Sequence, residues 1–496
     1  MFNLTKLYYN DLFFARVNCA IFGMIELAKR MQKGWKTIDF LLLSLHKQQN
    51  KPLYEQLYIE LREAIISGQL AVGTKLPSKR QLADFLNISQ TTIEFAYNQL
   101  LAEGYIQSKP RIGFFVEAVD ELPYAEQLAP EISVPTTQTY AYDFSPANID
   151  VESFPFTVWR KIAKDVIDES SKHLLQAGHP QGEYELRAQI ARYLLESRGI
   201  SCDAEQIVIG SGTEQLLPMI LRLIDPQAMI ALENPGYSPL PREDMKHRII
   251  PIDVDEDGLI VEKLEKTNAR LVYVTPSHQF PTGAVLSASR RAQLLKWATT
   301  HNNYIIEDDY DSEFRYIGKP IPAMLGLNKG ANVIYMSTFS KSLMPSLRVA
   351  YFVLPKSLLE VYKKTFSYYS ATVPRFDQHI LAQFMQQGHF SKHLNRMRKT
   401  YRKKHDKLIE VLQTKYPDVR ITGQLAGMHI CISFASNYSE TELTQKALQA
   451  NIRIQPLSNY LVNVTKEQPT FILGFGGIDT EQIEQAVDAL MHAFTT

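Results

Sequence analysis

The stretch YMSTFSKSLMPSLRVAY, residues 335–351, sets Lys341 in a loop of hydroxyl-bearing residues directly after an apolar run, with Arg348 seven residues further on. A lysine amine can form a Schiff base with an aldehyde, and a phosphate on the same ligand would need hydroxyls and a guanidinium close by. Thr338, Ser340, Lys341 and Arg348 carry those groups. A single lysine is ordinarily a solvated surface residue, so the motif needs support from elsewhere in the chain.

Three upstream segments supply it. In VIGSGTEQLL (208–217), Ser211, Gly212 and Thr213 fall between an apolar run and a helical pattern, where backbone N–H groups and the helix dipole attract phosphate. ENPGYSP (233–239) offers Tyr237 as a ring able to stack on a pyridine, and IIEDDYDSEF (305–314) places Asp308 and Tyr310 after another apolar run. A carboxylate beside a pyridine nitrogen keeps it protonated, and a phenol can bond an oxygen on the ring. Taken singly, Tyr237 reads as core, Asp308 as a helix cap and residues 211–213 as a turn. In this order they predict a pyridoxal 5'-phosphate site.

Around these motifs, apolar runs at 207–209, 229–232, 271–274, 304–306, 333–336 and 349–352 alternate with helical segments. This predicts an α/β body with a mostly parallel central sheet and helices on both faces. From about Lys356 the pattern turns helical and closes in a smaller α+β segment, so the body spans 141–496.

Residues 36–117 read as a separate unit. Leu53, Leu57, Leu61 and Ile65 recur at helical spacing before Gly68. Ser78 and Ser89 are placed to cap helices starting at Lys79 and Gln90, and Ile93, Ala96, Tyr97 and Leu100 form the inward stripe of the latter. Strands at 105–107 and 113–117, joined by Lys109, Pro110 and Arg111, complete a winged helix. Residues 51–117 hold seven Lys or Arg and seven Asp or Glu, so DNA binding must rest on arrangement rather than net charge. Lys79, Arg80, Lys109 and Arg111 fall where phosphates would lie, at a helix start and at the wing, while the acids Glu55, Glu60 and Glu63 sit on the first helix. A winged helix used for protein contact is the competing reading.

Residues 118–140, rich in Pro, Glu, Thr and Gln, read as a linker. Residues 1–35 form an extension that reads as upstream sequence or a loosely ordered tail. Its apolar part, Leu12 to Ala28, is interrupted by Arg16, Asn18 and Glu26 and is too short to span a membrane. The whole chain of 496 residues balances 53 basic against 53 acidic side chains, which advertises neither a nucleic-acid nor a membrane partner. Cys19, Cys202 and Cys431 are too scattered for a disulfide framework or a zinc motif, as expected of reduced thiols in a soluble cytoplasmic protein without a metal.

KLPSKRQLADFLNISQTTIEFAYNQLLAEGYI (75–106) followed by RIGFFVE (111–117) resembles the GntR-type winged-helix family, and residues 141–495 resemble fold-type I aminotransferases. GHPQGEYELR (178–187), TPSHQFPTGAVLSASRR (275–291) and EDDYDSEFRY (307–316) are particularly similar to MocR-type regulators, which join the two. The resemblance implies phosphate contacts from Lys79 and Arg80 and groove contacts from Gln90, Thr91 and Thr92 on an operator. It implies pyridoxal phosphate in a Schiff base with Lys341, Asp308 on the pyridine nitrogen, Tyr310 on the 3-oxygen, Tyr237 stacking, and Ser211, Gly212, Thr213 and Arg348 on the phosphate. It also implies a head-to-tail homodimer.

Four positions depart from the family pattern. Gln90 stands where an arginine is common, and glutamine suits adenine and carries no charge. Pro239 and Ile472 replace arginines that grip a carboxylate, and Ala177 replaces a tyrosine that reaches the neighbouring subunit's phosphate. Without either arginine, sensing of pyridoxal phosphate or an amine effector is favoured over turnover by an active aminotransferase with an accessory head.

Overall fold

The computed structural model describes residues 51–118, 138–237, 248–316, 318, 321–327, 332–462 and 468–495. It divides between Pro135 and Thr136 into two compact units. The extension at 1–35, the first part of the head, most of the linker and Pro239 lie outside the described residues.

In the head, α1 (Leu53–Ile66) buries Leu57, Leu61 and Ile65 on one face. α2 (Lys79–Leu86) starts at Ser78, whose Oγ accepts from the N–H of Gln81 while Gln81 Oε1 accepts from the N–H of Ser78. Asn87, at φ 52°, ends it. α3 (Gln90–Ala102) starts at Ser89, which accepts from the Thr92 N–H at 3.2 Å. Ile93, Ala96, Tyr97 and Leu100 close on α1, and the buried Tyr97 phenol donates to the carbonyl of Pro77 at 3.0 Å.

β1 (Ile106–Lys109) and β2 (Gly113–Val116) pair antiparallel from Ile106↔Val116 to Lys109↔Gly113. The ladder reaches two residues beyond the expected end at 107. Arg111 adopts φ 62°, which tightens the turn enough for Lys109 to pair.

The body opens with β3 (Tyr142–Asp143), α4 (Phe156–Val166) and α5 (Tyr184–Arg198). β4 (Ile207–Gly210), α6 (Thr213–Ile224), β5 (Ile230–Asn234), β6 (Ile249–Asp255), β7 (Gly258–Leu259), β8 (Leu271–Val274), α7 (Ala288–His301), β9 (Tyr304–Asp309), β10 (Val333–Thr338) and β11 (Ala350–Val353) follow. Their sheet has the order β4-β11-β10-β9-β8-β5-β6-β7. β10, β9, β8, β5 and β6 run parallel, and β11 runs against both β10 and β4. The four-residue strands β4, β8 and β11 are buried throughout, as expected where helices cover both faces.

The closing segment carries α8 (Arg375–Gln386), the long α9 (His389–Lys415), β12 (Arg420–Thr422), β13 (His429–Ser433), α10 (Glu440–Gln449), β14 (Ile452–Arg453), β15 (Gln455–Pro456), β16 (Thr470–Gly474) and α11 (Ile483–Thr495). A second sheet orders these strands β12-β13-β16-β15, while β14 pairs with β3, tying the start of the body to its end. Among the described residues no helix is long and apolar enough to cross a membrane.

Candidate functional site

The C-terminal ends of β4, β5, β8, β9 and β10 open on one side of the large sheet, where an open α/β sheet presents its crevice. A cavity of about 280 Å³ lies there. Gly212, Thr213, Tyr237, Asp308, Tyr310, Thr338, Ser340, Lys341 and Arg348 line it, so nine of the ten residues expected at a cofactor site from sequence share one cavity. Ser211 stands one residue behind the lining, its N–H donating to Gln215 Oε1 at 2.8 Å.

Lys341 is brought in by the loop that leaves β10, and its Nζ donates to the carbonyl of Pro146. Burial lowers the ammonium to about 8, with Asp311 working in the opposite direction. Asp308 is the penultimate residue of β9, beside Met336 of β10. Burial lifts its carboxyl to about 7; Asp309 and Asp311 add to the rise, and a hydrogen bond from the Tyr273 phenol opposes it. The low-dielectric wall would therefore stabilise a positive charge brought against Asp308.

At the other end, Gly212 holds φ 152° where a Cβ would stand 2.5 Å from Arg348 Nη2, so only glycine lets the guanidinium approach the start of α6. Thr338 Oγ1 and Ser340 Oγ lie 2.9 Å apart beside it. Backbone N–H groups at a helix start, two hydroxyls and a guanidinium make an anion cradle, with an amine and a buried carboxylate across the cavity. That donor set fits a phosphorylated pyridine aldehyde.

Several groups in the lining, such as Asp311 and His429, and His278 bonded to Asp311, were not singled out from sequence. Tyr310 Oη lies 3.1 Å from His278 Nδ1, which lies 2.9 Å from Asp311 Oδ2. The His278 ring packs 4.7 Å from that of His429 and so close to Gly427 that a Cβ there would stand 2.0 Å from it. These partners come together only through the fold, because Asp311 is 33 residues and His429 far more distant in the chain. The sequence reading expected no metal. His278, Asp311 and His429 do bring ligand-type atoms within 4.8 Å of one another, but His278 Nδ1 is engaged with Asp311 and His429 Nε2 with the Pro281 carbonyl at 3.0 Å.

Ile472 is buried in β16 opposite Cys431 and Gln455 and is not on the wall. Among the described residues Arg348 is the one guanidinium lining the cavity. A second concavity of about 270 Å³ between α5 and α9 contains none of the expected residues. There Arg198 Nε meets Asp309 at 2.6 Å and Glu313 accepts from Tyr193 at 2.9 Å.

On the head, Arg80, Gln90 and Thr91 are exposed at the starts of α2 and α3, and Thr92 is half-buried. Thr92 Oγ1 lies 2.8 Å from Ser89 Oγ. Lys79 is drawn inward, its Nζ 2.6 Å from Glu94 Oε1. At the wing, Lys109 lies over the Phe115 ring at 4.9 Å and Arg111 is exposed at the tip.

Residues 53–116 match the model of the bacterial regulatory proteins of the gntR family, and residues 145–490 match aminotransferase class I and II. An HTH-type transcriptional regulator of Bacillus subtilis, YdeL, is 41% identical over 461 residues, covering 91% of this chain and 98% of its own. The probable rhizopine catabolism regulatory protein MocR of Rhizobium meliloti is 32% identical, covering 91% of this chain and 96% of its own. The chain belongs to the MocR-type transcriptional regulators. The body of this MocR-type regulator shares its fold with the kynurenine aminotransferase of Pyrococcus horikoshii, at a TM-score of 0.63 and 24% identity, over 73% of this chain and 91% of that one. The regulator thus carries a GntR-type DNA-binding head on a fold-type I aminotransferase-like body.

Proposed function

We propose that this regulator binds pyridoxal 5'-phosphate in the body cavity and converts its presence, or that of an amine reacting with it, into a change of operator affinity. The observation that carries the reading is the convergence of Lys341, Asp308, Tyr310 and Arg348 on one cavity. Lys341 would hold the aldehyde carbon, Asp308 the pyridine nitrogen, Tyr310 the 3-oxygen and Tyr237 the ring face. Gly212, Thr213, Thr338, Ser340 and Arg348 would hold the phosphate, with Ser211 shaping the turn behind them. When bound, the group supplies an electron-withdrawing pyridine ring. Burial disfavours the charged form of Lys341 and lowers it to about 8, so it gives up its proton to become a nucleophilic amine at a far lower pH than a solvated lysine does.

Turnover of ordinary amino acids would need a grip on the substrate carboxylate. Ile472 supplies none, and Arg348 is committed to the phosphate end, so sensing is the better reading of the same wall. A head-to-tail homodimer on a two-part operator fits the DNA-binding head. Arg80, Arg111 and Lys109 would meet phosphates, with Lys79 joining them by leaving Glu94; Gln90, Thr91 and Thr92 would meet base edges.

The test is to titrate the full chain with pyridoxal phosphate while recording its visible absorption and footprinting DNA upstream of its own gene. A footprint whose midpoint moves with the cofactor supports sensing. A visible band without any change in the footprint, or steady amino-acid turnover without specific DNA binding, overturns it.

Two further outcomes follow from single groups. Because a neutral amine is the nucleophile, the rate at which the visible band appears should rise about tenfold per pH unit below pH ~8 and level off above it. Rapid-mixing spectroscopy checks this, and a flat profile between about pH 6 and 8 counts against Lys341 as the amine. Gln90→Arg adds a cation at the exposed start of α3. It should tighten operator binding several-fold at low salt and steepen the log–log salt dependence by about one. Fluorescence anisotropy across a salt series reads both, and an unchanged slope removes position 90 from the interface.

A further inference from the structure

Glu214 stands in the cavity wall one residue into α6, and its Oε2 lies 3.2 Å from Arg348 Nη2. The same carboxylate acts on Tyr237: burial first, then the charge of Glu214 and a hydrogen bond to it, holds the Tyr237 phenol above its usual range. A Cβ on Gly212 would stand 2.7 Å from Glu214 Oε2 as well as 2.5 Å from Arg348 Nη2, so carboxylate, guanidinium and glycine backbone meet at one point. That point is the anion cradle, and a carboxylate is an odd thing to find in it. Helix-dipole and hydrogen-bond donors there favour a negative ligand, while Glu214 opposes one.

We propose that Glu214 is a built-in competitor for the phosphate end of the cavity, weakening the chain's hold on phosphate-bearing ligands and so setting the concentration range over which it responds. The inference rests on the reading of this cavity as a pyridoxal phosphate site. Two effects act in the same direction. Glu214 claims the guanidinium that a phosphate would use, so binding must first break the pair. It also leaves the Arg348–Glu214 grip with no net charge, where Arg348 alone would offer +1 to a dianion.

The side chains of Arg348 and Glu214 are 56% and 58% exposed, so solvent screens both effects and the expected change is about tenfold rather than thousandfold. Such attenuation suits a sensor. A site that captures its ligand too tightly is filled at every working concentration and reports nothing.

The test compares the full wild-type chain with Glu214→Gln, which keeps size and hydrogen bonding, and Glu214→Ala, which removes both. Pyridoxal phosphate is titrated by its visible band, inorganic phosphate is used as competitor, and pyridoxal lacking the phosphate serves as control. Both variants should bind pyridoxal phosphate about tenfold more tightly and be inhibited by about tenfold less inorganic phosphate, with pyridoxal unaffected. Unchanged or weaker binding in Glu214→Gln overturns the competitor role, as does a fall in melting temperature with no gain in affinity, which would make Glu214 only a helix-start acid. A wild-type chain that is folded by circular dichroism yet develops no visible band fails earlier, at the cofactor reading itself.

Discussion

Lys341→Ala should abolish the visible absorption that pyridoxal phosphate gains on the wild-type chain, and with it any dependence of the footprint on the cofactor. Among the described residues Lys341 is the one lysine on the cavity wall, so no neighbouring amine can take its place. Its ammonium, lowered to about 8 by burial, is also set apart from ordinary solvated lysines, which stay protonated to about pH 10. The variant should still retain pyridoxal phosphate weakly and reversibly, since Asp308, Arg348 and the start of α6 remain. DNA binding itself should persist, because the head is a separate compact unit. The readout is a spectrum and a footprint recorded on the same samples, with the exposed Lys399→Ala as control. A persisting band in Lys341→Ala would mean that a surface amine carries the label and that the cavity has been misassigned.

The second large effect concerns the head. Leu57→Ala removes a side chain that is 0% exposed, packed among Leu61, Ile93, Tyr97 and Leu100. Leucine-to-alanine changes at such positions cost about 3 kcal/mol, through lost transfer energy and the cavity left behind. A unit of this size has a core worth only about 3–5 kcal/mol in net stability. The loss leaves about 0–2 kcal/mol, so the head should melt at a much lower temperature, with up to about half of it unfolded at 25 °C. Operator binding should weaken as the head melts while the visible band of the body remains. Differential scanning calorimetry and anisotropy check this together. Unaltered operator binding with an unshifted first melting step would mean that the head is held by more than its own core.

The contrast between what was legible in the sequence and what was not follows the distance over which each signal acts. α2 and α3 begin where Ser78 and Ser89 predict, because a cap is read within three residues. Asp308 and Thr338 were legible because each sits just past an apolar run that becomes a buried strand, Asp308 near the end of β9 and Thr338 at the end of β10. β6 was not, since Ile249–Asp255 lies near the sheet edge and mixes Pro251, Asp253 and Asp255 among its isoleucines. Nor was the direction of β11, for an apolar run carries no mark of which way its neighbours travel. Partnerships across long stretches were out of reach altogether. His278 finds Asp311 33 residues away, Glu214 finds Arg348 134 residues away, and Lys79, read as a phosphate contact, is drawn to Glu94 on the next helix.

The reversed direction of β11 has a mechanical result. Because β10 and β11 are antiparallel neighbours, the chain from Thr338 to Arg348 is a single loop closed at its base, where Thr338 pairs with Ala350 and the Phe339 N–H bonds to the Val349 carbonyl at 3.0 Å. The amine and the guanidinium are thus two jaws of one caliper whose hinge is the sheet. Residues inserted between 341 and 348 would reset the span between the jaws while leaving the hinge untouched, and the length of ligand that still fits would measure that span directly.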